Sequence, residues 1–266
     1  MSFFMEQPVT TGCLTLLLIL FSMNYTMKDT SNKLGLVTVN TLVADTQIWN
    51  LFTCHFYESK LIKLAFDMVG IIVITRSLKL RLGKQTLLYL TASILSCSLL
   101  TSAYCFIRYF STGLEEMIMA PIFGFSGVFM IILTYARQQL RSQLVIQAIP
   151  NITYNNLPIL VVIAQMLLWL IGLKVFAVDL PFSIIGLLFS WSYLRFYYYH
   201  DEKFDNSGQS LGKSIGDSSE EFAFIAMFPK VNIIIIFILP VFMNGHIKFL
   251  TQILMNIAIK YMCCIL

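Results

Sequence analysis

Apolar segments alternate with short polar stretches along residues 1–199 of the chain. Six of these segments approach the ~20 apolar residues that a helix needs to cross about 30 Å of hydrocarbon. They predict six spans, at residues 11–27, 61–75, 85–107, 118–136, 157–173 and 181–196. The pattern therefore predicts an all-α polytopic membrane protein built as a six-helix bundle.

Two longer polar stretches interrupt this pattern. Residues 28–58 mix charged and apolar positions, which predicts a long loop with a half-buried amphipathic piece at 37–56. Residues 200–221 are polar and rich in Gly and Ser, which is typical of a linker. We predict a membrane domain over 1–199, with its long loop at about 28–60, and a linker with an apolar tail over 200–266. Whether the apolar tail, residues 231–266, crosses, coats or leaves the membrane stays open.

Composition narrows the class of protein. Hydrophobic residues make up 58% of the chain and charged residues only 12%, against roughly a quarter charged in soluble domains. A soluble globular enzyme is thereby excluded, and the lipid bilayer is the expected partner. The formal net charge of +4 is small and dispersed, so nucleic acid is not an expected partner.

Basic residues indicate the orientation, because cytosolic loops are enriched in Lys and Arg. They gather after the second, fourth and sixth predicted spans: Arg76, Lys79, Arg81 and Lys84, then Arg137 and Arg141, then Arg195. With an even number of spans, both termini are predicted to be cytosolic and the loop at 28–58 to be lumenal.

Six spans with a long first loop resemble the rhomboid intramembrane proteases, and one motif supports the resemblance. Gly124-Phe125-Ser126-Gly127, in the fourth predicted span, matches their Gly-x-Ser-Gly nucleophile motif. A serine hydroxyl is a poor nucleophile until a base accepts its proton. The resemblance places that base in a sixth-helix His-x-x-Gly pattern, and the matching stretch here begins with Ser183 and ends with Gly186. The histidine is therefore absent from its expected position.

Other bases are available in principle. His55 lies in the predicted lumenal loop, whereas His200 and His246 fall on the opposite side. Lys63 and Asp67 occupy the second-helix positions at which rhomboids carry residues that stabilise the oxyanion. Being four apart, they share one helical face, which predicts an ion pair. Such a carboxylate stabilises the charged lysine and opposes its use as a base. We interpret Ser126, Lys63, Asp67 and Ser183 as relic positions, with no catalytic residue, and predict that the chain is not an enzyme.

A narrower resemblance rests on motifs along residues 10–230. Trp49-x-Leu-x-Thr with Glu58 is followed by a basic loop that ends at Gly83, and then by Gly124. The most specific strings are Trp191-Ser-Tyr193-Leu194-Arg195-Phe196-Tyr197, Glu221-Phe222-Ala-Phe224 and Phe228-Pro229. Together they resemble the transmembrane protein 115 family, a rhomboid-like, non-proteolytic group of Golgi membrane proteins.

The resemblance implies a multi-pass Golgi membrane protein that cycles with the endoplasmic reticulum. It implies a role in Golgi-to-endoplasmic-reticulum retrograde vesicle transport and in Golgi organisation, with the conserved oligomeric Golgi tethering complex as partner and without a cofactor. Two alternatives stay open: an intramembrane serine protease that uses Ser126 with Lys63 or His55, and a transporter or channel. Client proteins and a homo-oligomer also stay open.

Smaller signals complete the sequence analysis. The aromatic block from Trp191 to Tyr199 is interpreted as an interfacial belt, or as a docking surface for a cytosolic partner that Arg195 forms with residues 222–229. The six cysteines lack metal-site spacing, so no metal site is expected. Cys263 begins a C-terminal pattern for prenylation, and its lipidation stays open. Asn24-Tyr-Thr is a glycosylation sequon at the end of the first span, where its use is not expected.

Overall fold

The computed structural model describes residues 8–26, 29–78, 84–145, 152–170, 179–198 and 215–228. These residues are mainly helical, and extended pairing within them is limited to two isolated bridges, Leu36 with Ile122 and Leu144 with Thr153. Six long helices follow one another: α1 Pro8–Thr26, α2 Leu61–Ser77, α3 Lys84–Thr112, α4 Ser126–Leu140, α5 Leu157–Leu170 and α6 Asp179–Phe196. The prediction of an all-helical architecture is confirmed for the described residues.

The six helices differ in their ability to span a bilayer. Among the described residues, α3, with 29 residues, is the one helix long and apolar enough to cross a membrane by length and composition. The stretches Thr10–Asn24, Leu157–Leu170 and Leu180–Phe196 are apolar but shorter. At 1.5 Å per residue α3 extends over about 44 Å, more than the thickness of the hydrocarbon core. Six complete crossings therefore stay a proposal.

Helix α4 occupies the centre of the bundle. It packs against α2, α3, α5 and α6, while α6 also packs against α3 and α5, and α1 packs against α2. Most side chains of α4 are buried, including Val128, Ile131 and Leu133. A helix that is covered on nearly every side fixes the positions of the helices around it.

The fourth predicted span, 118–136, is wrong at both ends. Glu116–Met119 is a separate short helix, and α4 begins only at Ser126. Gly124 between them adopts a φ of 149°, which disfavours residues with a side chain, and its N–H donates to the carbonyl of Cys54 at 2.9 Å. Helix α4 then continues to Leu140, so Arg137, expected in a loop, lies in its last turn.

The long loop before α2 is folded rather than extended. It contains the short helices Thr30–Leu34 and Asn50–Thr53 and one π-helical turn, Asn40–Ala44. Its tip exposes apolar side chains, among them Val43 and Ile48, whereas residues 54–58 are all buried. The amphipathic piece predicted at 37–56 is therefore divided into an exposed tip and a buried return to the bundle.

Several predicted features lie outside the described residues. These are Gly83, Tyr199, Pro229, Cys263, residues 200–214 of the linker, and the apolar stretches at 231–243 and 247–261. Residues 215–227 of the predicted tail are described, and they belong to the same compact unit as the helices. We call residues 215–227 the strap.

Candidate functional site

The Gly-x-Ser-Gly motif forms the start of α4. Ser126 is the first residue of the helix and is only 4% exposed. The N–H of Phe125, just before it, donates to Oε1 of Glu58 at 3.0 Å. A carboxylate at this point satisfies a free helix N–H and complements the positive end of the helix dipole. Glu58 thus ties the long loop to the motif.

Glu58 also forms an ion pair with Lys63, for which the sequence predicts Asp67 as the partner. Nζ of Lys63 lies 2.8 Å from Glu58 Oε1, and the Glu58 side chain is 1% exposed. Asp67, predicted as the partner of Lys63, lies close enough to interact with the same Glu58 carboxyl. Burial raises the pKa of Glu58, while the Lys63 ammonium and the Phe125 N–H act in the opposite direction. The lysine therefore belongs to a buried acid–base cluster centred on Glu58.

His55 points into the bundle from the long loop. It is fully buried, and its Nε2 lies 2.8 Å from Oγ of Ser98 in α3. Ser98 Oγ in turn donates to the carbonyl of Leu51 at 2.5 Å. With the Ser98 hydroxyl donating to Leu51, the contact between Nε2 and Ser98 fits the imidazole tautomer that is protonated at Nε2. In that tautomer Nδ1 is unprotonated.

The imidazole of His55 fills the junction of α3, α4 and α6. A Cβ placed on Gly127 would lie 3.1 Å from His55 Nδ1 and 3.3 Å from Cys97 Sγ. The ring of Phe182 in α6 lies 4.7 Å from the imidazole, centroid to centroid. Nδ1 has no hydrogen-bond partner among the described residues, and burial lowers the pKa of His55 to about 4. His55 is thus a neutral imidazole beside the motif, bonded to Ser98 rather than to Ser126.

Ser183 and Gly186 present one face of α6 to this junction. Ser183, at the expected base position, is fully buried, and its hydroxyl finds no partner among the residues described. A Cβ on Gly186 would lie 2.9 Å from the carbonyl oxygen of Gly127, so the main chains of α4 and α6 are in direct contact. The two glycines let the helices approach closely, as small residues do inside membranes.

A second group of motif residues meets at the other end of α4. We call this end the basic end, because Arg137, Arg141 and Arg195 lie there. Nε1 of Trp191 donates to the carbonyl of Phe222 at 2.9 Å, and Arg195 donates to that of Ser219 at 2.6 Å. Phe222 is fully buried. The string at 191–197 and the string at 221–224 are therefore two sides of one contact.

The aromatic belt predicted from Trp191 to Tyr199 is wrong in part. Tyr193 packs against Tyr89, with 5.6 Å between ring centroids, and Tyr198 is buried. Phe196 and Tyr197 are exposed, at 59% and 66%. Only the outward residues of this block have the placement that an interfacial belt requires.

The remaining motif residues are dispersed. Trp49 is exposed at the loop tip and donates from Nε1 to the carbonyl of Lys33 at 3.2 Å. Leu194 is buried, and Phe224 packs against Trp191 with 5.3 Å between ring centroids. Phe228 is partly exposed. The motif residues thus serve different parts of the bundle rather than one site.

Comparison with known proteins identifies the family. The family model described as Eukaryotic integral membrane protein (DUF1751) matches residues 9–253. The chain belongs to this family. It is therefore an integral membrane protein, and the prediction of a bilayer partner is confirmed.

Individual relatives agree with the predicted resemblance. The chain is 27% identical over 191 residues to Rhomboid-like protein 19 of Arabidopsis thaliana. It is 28% identical over 186 residues to Transmembrane protein 115 of Homo sapiens. Each match covers 69% of this chain but 57% and 49% of the relatives, so the chain spans about half the length of the curated relatives it matches. The predicted resemblance to the transmembrane protein 115 group is confirmed.

Side chains that commonly bind metal ions do not cluster in the part of the chain that the structure describes. No group of three or more His, Cys, Asp or Glu residues there has the proximity to hold a metal ion. Cys13, Cys54, Cys97 and Cys105 are free thiols. Burial raises the pKa of Cys54 to about 12, so this thiol stays protonated.

Sequence reasoning missed several contacts of the site. Glu58 pairs with Lys63, and His55 points inward to Ser98. Neither pair has the spacing of three or four residues that would indicate a contact along one helix. The sequence does not single out Ser98, because α3 contains several other small residues. Arg137 and Arg141 were read only as markers of orientation, although their spacing of four places both on one side of α4. That spacing is a second signal for the contact with the strap, beside the surface predicted from Arg195 and residues 222–229.

Proposed function

We propose that the chain is a non-catalytic, rhomboid-like Golgi membrane protein that cycles with the endoplasmic reticulum. It acts in Golgi-to-endoplasmic-reticulum retrograde vesicle transport and in Golgi organisation by binding other proteins. By resemblance, the conserved oligomeric Golgi tethering complex is its partner. The similarity to Transmembrane protein 115 and to Rhomboid-like protein 19 supports this assignment.

One observation carries the non-catalytic part of the proposal. Nε2 of His55 is hydrogen-bonded to Ser98, and its Nδ1 has no hydrogen-bond partner among the described residues. Ser183 stands where the resemblance expects the histidine. Lys63 is paired with Glu58, which keeps it charged and unsuited to accept a proton. The engagement of His55 with Ser98 and of Lys63 with Glu58 supports the proposal that neither of them acts as the base that a serine nucleophile requires.

The proposed topology has six crossings, with both termini in the cytosol and the loop at 28–60 in the lumen. The membrane domain covers residues 1–199, and the linker and tail cover 200–266. The gathering of Arg137, Arg141 and Arg195 at one end of the bundle supports this orientation, because that end is expected to be cytosolic.

Labelling by a fluorophosphonate serine probe tests the absence of catalysis. The full chain, purified in detergent, is expected to remain unlabelled, and Ser126→Ala should behave as the wild type does. His55 does pack beside Gly127, so the competing function is an intramembrane serine protease. Labelling of the wild type that disappears in Ser126→Ala would establish that competing function.

A deletion in cells tests the transport role. Golgi enzymes should become mislocalised, and re-expression of either the wild type or Ser126→Ala should restore them to the same extent. The tagged protein should coincide with a Golgi marker. Normal retrograde transport in the deletion, or rescue by the wild type but not by Ser126→Ala, would overturn the proposal.

A further inference from the structure

The strap lies along the basic end of the bundle and is held there by its main chain. Four of its carbonyl oxygens accept hydrogen bonds from side chains of the bundle. The donors are Arg195 to Ser219 (2.6 Å), Trp191 to Phe222 (2.9 Å), Arg137 to Ala223 (3.1 Å) and Asn155 to Ala226 (2.7 Å). Such contacts hold a peptide backbone whatever its side chains, as peptide-binding grooves do.

Side chains of the strap add selectivity to this hold. Phe222 is fully buried, with the guanidinium carbon of Arg137 4.7 Å and that of Arg141 5.2 Å from its ring centroid. Met227 is also fully buried, and Phe224 packs on the indole of Trp191. A buried aromatic ring with two guanidinium groups close to it gains both apolar burial and cation–π attraction. The basic end thus selects phenylalanine at the place of Phe222.

An acidic residue completes the recognition. Arg141 forms an ion pair with Asp217 and donates to Ser219 Oγ at 2.9 Å, while Ser219 Oγ donates to Asp217 Oδ1 at 2.6 Å. Burial raises the pKa of Asp217, but the Ser219 hydrogen bonds and the Arg141 charge outweigh it and hold that pKa below its ordinary value. The basic end therefore binds a charged carboxylate ahead of the phenylalanine.

The donors are organised by the bundle itself. Nε of Arg137 donates to Oδ1 of Asn155 at 3.0 Å, which fixes two of the four backbone donors relative to each other. Beside Asp217 and Ser219 lies an open cleft of about 400 Å³, lined also by Gln138, Arg141 and Gln143. The open space of this cleft therefore lies next to Asp217, the acidic residue of the strap.

We propose that the basic end of the bundle is a peptide-binding groove that the strap occupies in cis. Its ligand class is a peptide with an acidic residue and a phenylalanine spaced as Asp217 and Phe222 are. Residues 199–214, which are mostly polar in sequence, lie between α6 and the strap. A partner protein with such a segment then takes its place. This inference does not rest on the proposed Golgi function.

The test uses the full chain in nanodiscs and a fluorescent synthetic peptide with the sequence of residues 215–228. A release variant, Asp217→Lys with Phe222→Ala, removes the two anchors of the cis strap. It should bind the peptide at least ten-fold more tightly than the wild type, whose own strap competes at high local concentration. Empty nanodiscs and a peptide with Ala at the place of Phe222 are the controls.

The groove itself is tested by adding Arg141→Ala to the release variant, which removes the cation without offering a new partner to Asp217→Lys and should weaken peptide binding at least ten-fold. Hydrogen exchange over 215–227 reports independently whether the strap has left. Release of the strap without peptide binding would overturn the proposal. If the double variant does not fold, Asp217→Lys alone replaces it, and unchanged exchange of its strap would overturn the role given to the acid.

Discussion

Gly186 of α6 lies directly against the main chain of α4, with 2.9 Å between the place of a Cβ on Gly186 and the carbonyl oxygen of Gly127. A main-chain oxygen in the middle of a packed bundle has no rotamer by which to move aside. Gly186→Ala must therefore separate the two helices or strain them. Overpacking of this kind costs about 1–3 kcal/mol, and we expect that loss in the free energy of unfolding.

Gly12 provides a matched control for this change. A Cβ on Gly12 in α1 would meet no atom within 4 Å. Gly12→Ala should leave stability unchanged or raise it by up to about 1 kcal/mol, because Ala is the better helix former. Denaturant unfolding in mixed micelles measures both variants. Equal effects of the two substitutions would contradict the close contact of α4 with α6.

The buried pair of Lys63 and Glu58 should behave as a unit. Lys63→Met leaves the Glu58 charge buried without its cation, which costs about 3–5 kcal/mol. Combining it with Glu58→Gln removes the charge and keeps an oxygen for the Phe125 N–H, so the double variant should recover most of the loss. Lys60, exposed and nearby, is the control, and Lys60→Met should stay within about 0.5 kcal/mol of the wild type. A double variant as unstable as the single one would contradict the pairing.

Acidification should destabilise the protein through His55. Burial lowers the pKa of His55 from 6.5 to about 4. Below pH 6.5 the imidazole therefore binds a proton in the unfolded chain but not in the folded chain. The stability that the neutral imidazole contributes is fully present above pH 6.5 and is lost as the pH falls toward 4. From about pH 7.5 to about pH 5 the expected loss is about 2 kcal/mol.

His55→Gln isolates this effect, because glutamine keeps an N–H for Ser98 but does not titrate between pH 4 and 7. The difference in unfolding free energy between the wild type and this variant should therefore shrink in magnitude or change sign toward acid pH, in favour of the variant. Parallel pH dependence of the two proteins would show that His55 is not the group responsible.

The sequon at Asn24 should remain unmodified. Nδ2 of Asn24 donates to the carbonyl of Glu58 at 2.9 Å, and its Oδ1 accepts a hydrogen bond from the Tyr57 hydroxyl. A glycan on Nδ2 would disrupt this contact. Treatment of the protein with an endoglycosidase should therefore leave its gel mobility unchanged.

Ala44 offers the corresponding positive control. It is exposed at the tip of the long loop, and Ala44→Asn completes a sequon with Asp45 and Thr46. Glycosylation of this variant is expected from the proposed lumenal placement of the loop. A variant that acquires no glycan would contradict that placement, and an endoglycosidase-sensitive wild type would contradict the contact of Asn24 with Glu58.

The helices were predictable from sequence to the extent that apolar runs determine them. Five of the six predicted spans overlap helices with similar limits, because a continuous apolar segment has few alternatives to a helix in lipid. The fourth failed because its residues 120–125 are not helical: Gly124 at a φ of 149° and the Leu36–Ile122 bridge interrupt the apolar segment. Hydropathy does not register such a break.

The site was less predictable, for a different physical reason. Ser126, Ser183 and Gly186 could be placed because the resemblance to rhomboids supplies their motifs and because they lie within predicted spans. His55, Glu58 and the strap reach their partners through loops, and the contacts of His55 with Ser98 or of Trp191 with Phe222 have no periodic signal. Tertiary packing decides these pairs, and only a structure displays it.

The hydrogen bond from the N–H of Gly216 to the carbonyl of Tyr198, at 2.7 Å, joins the two ends of the connection between α6 and the strap. Between two ends fixed in this way, each doubling of the length of a connecting loop costs only about 0.6 kcal/mol of closure entropy. Insertions there, whether natural or an engineered fluorescent reporter, should leave the anchoring points intact. Evolution can consequently lengthen or shorten this connection without changing the contacts of α6 or of the strap.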